Sequence, residues 1–134
     1  MIPENAVSYS YTLKVGEKDI DALKHVNNVV YLKWLNDISE QHWKLLATPE
    51  VNKKYLWVVL RHELDYLNQA TLDQEITLLT WVGESSGVKS VRHVQAFKGE
   101  VPLFKARSTW CLLDAKTLRP TRIKEDILSL LSPK

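Results

Sequence analysis

The sequence predicts an α+β fold in which one long helix packs against one antiparallel sheet, and three observations predict it. Between Asn28 and Ala47 the apolar positions Tyr31, Trp34, Leu35, Ile38, His42, Leu45 and Leu46 recur at three- and four-residue spacing, with no internal Gly or Pro. One strand-like segment precedes that stretch and four follow it, all rich in Val, Leu, Thr, Tyr or Trp. The last links are of hairpin length, so the strands they join run antiparallel. An order of strand, long helix and four strands is neither the alternating βαβ pattern nor an all-β one.

Taken in order, Ser8 to Val15 alternates with Tyr9, Tyr11, Leu13 and Val15 on one side, the period-2 signature of a half-buried strand. A polar turn, Gly16 to Asp19, leads into Ile20 to Asn28. Asn27 or Asn28 suits the N-cap of the helix, which should stop near Thr48-Pro49, because the residue before a proline resists helical dihedrals. Strands are expected over Tyr55 to Tyr66, Glu75 to Val82, Val88 to Phe97 and Leu103 to Leu113, with connections at Gly83 to Gly87 and Lys98 to Pro102. Lys124 to Leu131 closes the chain as a short helix with Ile127, Leu128 and Leu131 on one side.

A length of 134 residues suits a single domain spanning 1–134, large enough to bury a core without disulfides or a structural metal. The net charge of +2 and the interspersed acidic residues argue against a nucleic-acid partner. No apolar run approaches the roughly 20 residues that span a bilayer, and the first residues lack a basic and apolar leader pattern, so no membrane association and a cytoplasmic location are expected. The single cysteine, Cys111, agrees with a reducing compartment. His25, His42, His62 and His93 never fall at metal-ligand spacing, and no phosphate-cradling glycine motif is present, so neither a metal nor another cofactor is expected.

The densest set of reactive side chains is Asp19-Ile20-Asp21-Ala22-Leu23-Lys24-His25-Val26-Asn27-Asn28-Val29-Val30-Tyr31, followed by Trp34. It resembles the D-x-D-x-x-x-H-V-N-N-x-x-Y motif of the 4-hydroxybenzoyl-CoA thioesterase-like branch of the hot-dog superfamily. It is also similar to the H-V-N-N-x-x-Y segment of plant acyl-carrier-protein thioesterases. The likeness continues through Glu63 to Tyr66, the hairpin strands and the Asp114-x-x-Thr117-x-x-Pro120 segment. It implies a sheet wrapped around the long helix, and a homodimer or homotetramer with active sites at a dimer interface where two sheets join edge to edge. It also implies an acyl-CoA or acyl-carrier-protein thioester as substrate. Asp21 matches the position of the family's catalytic carboxylate, and the backbone N–H of Asn28 that of the donor polarising the thioester carbonyl.

The chemistry stands on its own terms. Thioester hydrolysis needs an activated oxygen nucleophile and donors aimed at the developing oxyanion, and a helix N-terminus offers unpaired N–H groups at a positive dipole end. Asp21 supplies the other half, as general base on water or as nucleophile. His25 is placed to bond the substrate carbonyl or the Asp21 region, or to serve as a loop histidine held by backbone. Asn27 is a cap or a substrate-orienting amide, and Tyr31 and Trp34 are core or pocket residues. Asp19 is read as structural. For phosphates of CoA, Lys89, Arg92, Lys105 and Arg107 are the cationic candidates, with Arg92 and Arg107 foremost, although alternate strand residues point to opposite faces.

Two features qualify the pattern. Lys24 stands where many relatives carry Gly, which bears on the backbone of the loop. Gly83-Glu84-Ser85-Ser86-Gly87 satisfies G-x-S-x-G, but strand-like flanks make it a hairpin rather than a nucleophile elbow. The leading expectation is an acyl-CoA thioesterase. The alternatives are an acyl-carrier-protein thioesterase, a non-catalytic acyl-thioester-binding module, and a hot-dog dehydratase or isomerase.

Overall fold

A computed structural model describes residues 2–132. Strand β1 (Ser8–Lys14) is followed by a 3-10 turn (Glu17–Asp19), helix α1 (Asn28–Leu46), helix α2 (Pro49–Lys54), strands β2 (Tyr55–Tyr66), β3 (Glu75–Ser86), β4 (Lys89–Lys98) and β5 (Val101–Asp114), and helix α3 (Glu125–Leu131). The five strands form one antiparallel sheet in the order β1-β3-β4-β5-β2. The two expected hairpins, β3-β4 and β4-β5, are present. β2 pairs instead with β5 at the far edge of the sheet, a placement that no short link announces.

Helix α1 buries Tyr31, Trp34, Leu35, Ile38, Ser39 and His42 on one stripe, while Lys33 and Asp37 pair at 2.8 Å on the solvent side. Leu45, read as part of that stripe, is exposed instead. The buried stripe meets Val15, Ile76, Leu78, Val94, Ala96, Phe104 and Ala106 in the main core. Fully burying a residue such as Leu35 or Ile38 contributes about 2 kcal/mol. A second cluster joins Val51 of α2, Val82, Leu112 and Ile123 to Ile127 and Leu131 of α3.

Helix α2 was not expected from the sequence. Thr48 caps it, accepting from Val51 N–H at 3.2 Å, and Pro49 occupies its first turn, where a missing N–H costs nothing. The proline that ends α1 therefore also starts α2. β3 continues through Gly83 to Ser86 and turns only at Gly87 (φ 62°), which places the G-x-S-x-G run in a hairpin. In β2 a register shift between Val59 and Arg61 moves the partly buried positions from Tyr55 and Trp57 to His62 and Leu64. Without that shift the second half of the strand would turn its apolar residues outward.

Candidate active site

Helix α1 starts where the chain folds back on itself. The Asn27 N–H donates to Asp19 O (3.0 Å), the Asp21 N–H donates to His25 O (2.8 Å), and Ile20 bridges Val26. This small antiparallel pair is anchored on the 70–71 segment, where the Val26 N–H donates to Ala70 O (2.8 Å) and His25 bridges Thr71. The reversal passes through Lys24 at φ 65°. The left-handed backbone suited to glycine is thus adopted here by lysine, so the substitution leaves the turn in place at a cost of roughly 1 kcal/mol.

The turn holds Asp21 at the surface. Its Oδ1 accepts from the Leu23 N–H (2.9 Å) and the His25 N–H (3.3 Å), while Oδ2 has no partner among the described residues. One carboxylate oxygen is clamped and the other is free to face a ligand. Asp19 behaves differently, since its Oδ2 accepts from the Gly16 N–H (2.9 Å) and closes the preceding turn. Asn27 is the N-cap, its Oδ1 accepting from Val29 N–H at 3.0 Å. The Asn28 N–H has no acceptor among the described residues and stands at the positive end of a 19-residue helix. From the end of β2 the Tyr66 hydroxyl donates to Asn28 O at 3.4 Å.

Asp21, His25, Asn27 and Asn28 are therefore gathered in one turn; the remaining three expected site residues lie elsewhere. Tyr31 is 1% exposed, packed on Trp34 and Phe104, with its hydroxyl donating to Asn68 O (3.0 Å). Burial pushes that phenol up to about 12, so it is a neutral core donor. Arg92 is buried rather than on the surface. It lies on the helix-facing side of β4, 7% exposed, with Nη1 donating to Thr80 Oγ1 (3.1 Å) and 2.7 Å from His42 Nδ1. Arg107 is on the opposite face, exposed, 3.8 Å from Glu63. The pleat separates the two arginines, since Arg92 pairs with Ser108 and Arg107 with His93. The His25 ring is half-buried, and its Nδ1 has no partner among the described residues.

The sequence reading missed a cavity of about 470 Å³ between the second half of α1 and the sheet. Trp43, Tyr55, Trp57, Trp110 and Leu131 form its apolar part, Arg92 lines it, and Glu40 and Lys44 of α1 add one charge of each sign. The signals that bore on it were Arg92, already a candidate cation, and His42 on the apolar stripe of α1, which meets Arg92. Among the described residues no group of three His, Cys, Asp or Glu side chains converges on a metal position, and no helix is long and apolar enough to cross a membrane.

The sheet curled on one long helix is the hot-dog fold. A predicted thioesterase from Bacillus stearothermophilus superposes with a TM-score of 0.83 at 23% identity, over 93% of this chain and 94% of that one. A 1,4-dihydroxy-2-naphthoyl-CoA thioesterase from Synechocystis superposes with a TM-score of 0.80 at 10% identity, over 93% and 96%. In sequence, a chloroplastic acyl-[acyl-carrier-protein] hydrolase from Cuphea viscosissima is 24% identical over 97% of this chain, which spans 34% of that protein. The chain belongs to the thioesterase-like superfamily, which residues 15–131 match.

Proposed function

We propose that the protein is a thioester hydrolase acting on an acyl-CoA, with Asp21 and the Asn28 N–H as its reacting and polarising groups. The observation that carries this reading is the pairing of a half-clamped, exposed carboxylate with an unpaired amide at the start of a long helix. The substrate carbonyl oxygen accepts from the Asn28 N–H, where developing negative charge is favoured. Asp21 takes a proton from water as hydroxide adds to the carbonyl carbon; the tetrahedral intermediate then expels the thiolate, which is protonated to the free thiol. In the nucleophilic variant the free Asp21 oxygen adds to the carbonyl carbon, the thiolate leaves to give a mixed anhydride and is protonated, and water cleaves the anhydride to the free acid and the Asp21 carboxylate. A single turnover in H2¹⁸O that leaves label in the aspartate identifies the second route with water attacking the Asp21 carboxyl carbon; where label appears in the released acid alone, trapping of an acyl-enzyme separates the routes.

The assembly belongs to the same proposal. β2 is an edge strand and exposes Leu56, Val58, Val59 and Leu60, an unprotected apolar edge that a second copy would cover. Antiparallel pairing of two β2 strands about their centre brings Tyr55 to Trp57 of one copy, at its cavity, towards Glu63 to Tyr66 of the other. Tyr66 touches Asn28, so each reacting site would gain the partner's cavity. The functional unit is then a homodimer, or a homotetramer of two such dimers, of a single domain working in the cytoplasm. With Arg92 inside, Arg107 is the arginine left for the CoA phosphates. His25 orients Asp21 through its backbone N–H, and Asn27 acts through its cap.

The test is release of free CoA from a panel of acyl-CoAs, followed with a thiol-reactive dye, in the parent and Asp21→Asn proteins. Turnover that depends on Asp21 is the expected result. Tight binding of acyl-CoA with no thiol released would instead identify a non-catalytic module, and release only from acyl-carrier protein would move the substrate class.

A further inference from the structure

The cavity beneath α1 contains a cation that the proposed reaction does not use. Arg92 is buried, and no Asp or Glu among the described residues lies within ion-pairing distance of it. Its hydrogen-bond partners among the described residues, the His42 ring and the Thr80 hydroxyl, both engage Nη1 and are both uncharged at neutral pH. Nε and Nη2 have no hydrogen-bond partner among the described residues, and they are not among the fully occluded unpaired atoms. Part of the guanidinium is therefore open, and the space it opens into is the cavity that Arg92 lines.

A buried guanidinium without a counter-ion is costly to keep, since charge removed from water is offset only by a close anion or a full set of acceptors. Trp43, Trp57 and Trp110 give the guanidinium no acceptor, and Glu40, the one acidic residue among the described lining, is not within ion-pairing distance of it. Trp110 contributes its ring to the wall, its own Nε1 being occluded rather than open to the chamber. A chamber with aromatic walls and an unused guanidinium edge fits a ligand that is apolar along its length and carries an acceptor at its end, and a planar fork of donors fits a carboxylate best.

We propose that this cavity binds an apolar chain or ring bearing a carboxylate, with Arg92 as the residue that reads the carboxylate. If the thioesterase reading above holds, the carboxylate has two sources. It is either the far end of a dicarboxylic acyl group, whose thioester end reaches Asn28 across the dimer, or the acid released by hydrolysis.

The test uses the intact protein and the fluorescence of its cavity tryptophans. Octanoate and octanol are titrated into the parent, Arg92→Met and Arg92→Lys. The parent is expected to bind octanoate about tenfold or more tightly than octanol, Arg92→Met to lose that preference and Arg92→Lys to retain part of it. Equal binding of acid and alcohol by the parent overturns the proposal, as does a preference that survives Arg92→Met. Should Arg92→Met fold poorly, the parent and Arg92→Lys measurements still decide. Turnover then distinguishes the sources. A loss in Arg92→Met of kcat/KM for 7-carboxyheptanoyl-CoA but not for octanoyl-CoA assigns the distal carboxylate, whereas relief of inhibition by octanoate alone assigns the product. Octanoate binding through Arg92 with no thioester turnover would leave this site standing and remove the hydrolase reading.

Discussion

Nη1 of Arg92 lies 2.7 Å from Nδ1 of His42, joining β4 to the buried stripe of α1. A guanidinium only donates, so Nδ1 must accept and the ring must be neutral, with its proton on Nε2. Burial first, and the Arg92 cation second, push His42 from 6.5 down to about 4. Tyr9 of β1 stacks on the face of the ring, with centroids 5.6 Å apart.

A pH dependence of stability follows from this pair. Between about 6.5 and 4 the unfolded chain binds a proton at this histidine that the folded chain refuses, so stability falls as the pH drops through that window. Thermal unfolding should show a falling Tm from pH 7 to pH 4. His62 and His93, also lowered by burial, act with the same sign. His42→Gln should flatten the dependence, and an unchanged slope in that variant would show that His42 is not its source.

Asp21→Asn preserves the shape of the turn and an acceptor for the Leu23 and His25 amides, but removes the charge that a base or nucleophile needs. Turnover should fall by roughly 10²–10⁴-fold, with folding intact and substrate still bound, because the Asn28 donor is backbone. Asp19→Asn should cost far less, since Asp19 closes the Gly16 turn. Loss of turnover in Asp19→Asn with Asp21→Asn near the parent rate would reverse the assignment.

Lys24→Gly should relieve the left-handed strain at φ 65°. The gain is offset in part by the greater freedom of glycine in the unfolded chain, so the net effect is a stabilisation of up to about 1 kcal/mol. Denaturant unfolding measures it. A marked destabilisation would mean that the lysine side chain contributes contacts that outweigh the strain.

On the exposed edge, Val58→Lys with Leu60→Lys should prevent two β2 strands from pairing without disturbing the core, because both side chains are already more than a third exposed. Sedimentation should show a monomer where the parent is a dimer or larger, and turnover should fall with the loss of the partner's cavity. A parent that sediments as a fully active monomer at nanomolar concentration would remove the proposed assembly.

The sequence by itself determined the order of the major elements, the amphipathic stripe of α1 and the cluster from Asp19 to Asn28. Those features are local: helical periodicity, strand alternation, cap chemistry and a turn made by residues close in the chain. Lys24 illustrates this, since its left-handed backbone follows from a reversal that begins and ends within a few residues. Tertiary structure decided what depends on distant partners. β2 lies beside β5 because the sheet curls around α1, and the register shift at Leu60 follows from that pairing. Arg92 and Arg107 are alike as sequence, and only the pleat and the helix above it send one inward to His42, 50 residues away, and the other out to solvent. The cavity arises in the same way, from aromatic side chains of α1, β2 and β5 that meet only when the sheet closes over the helix.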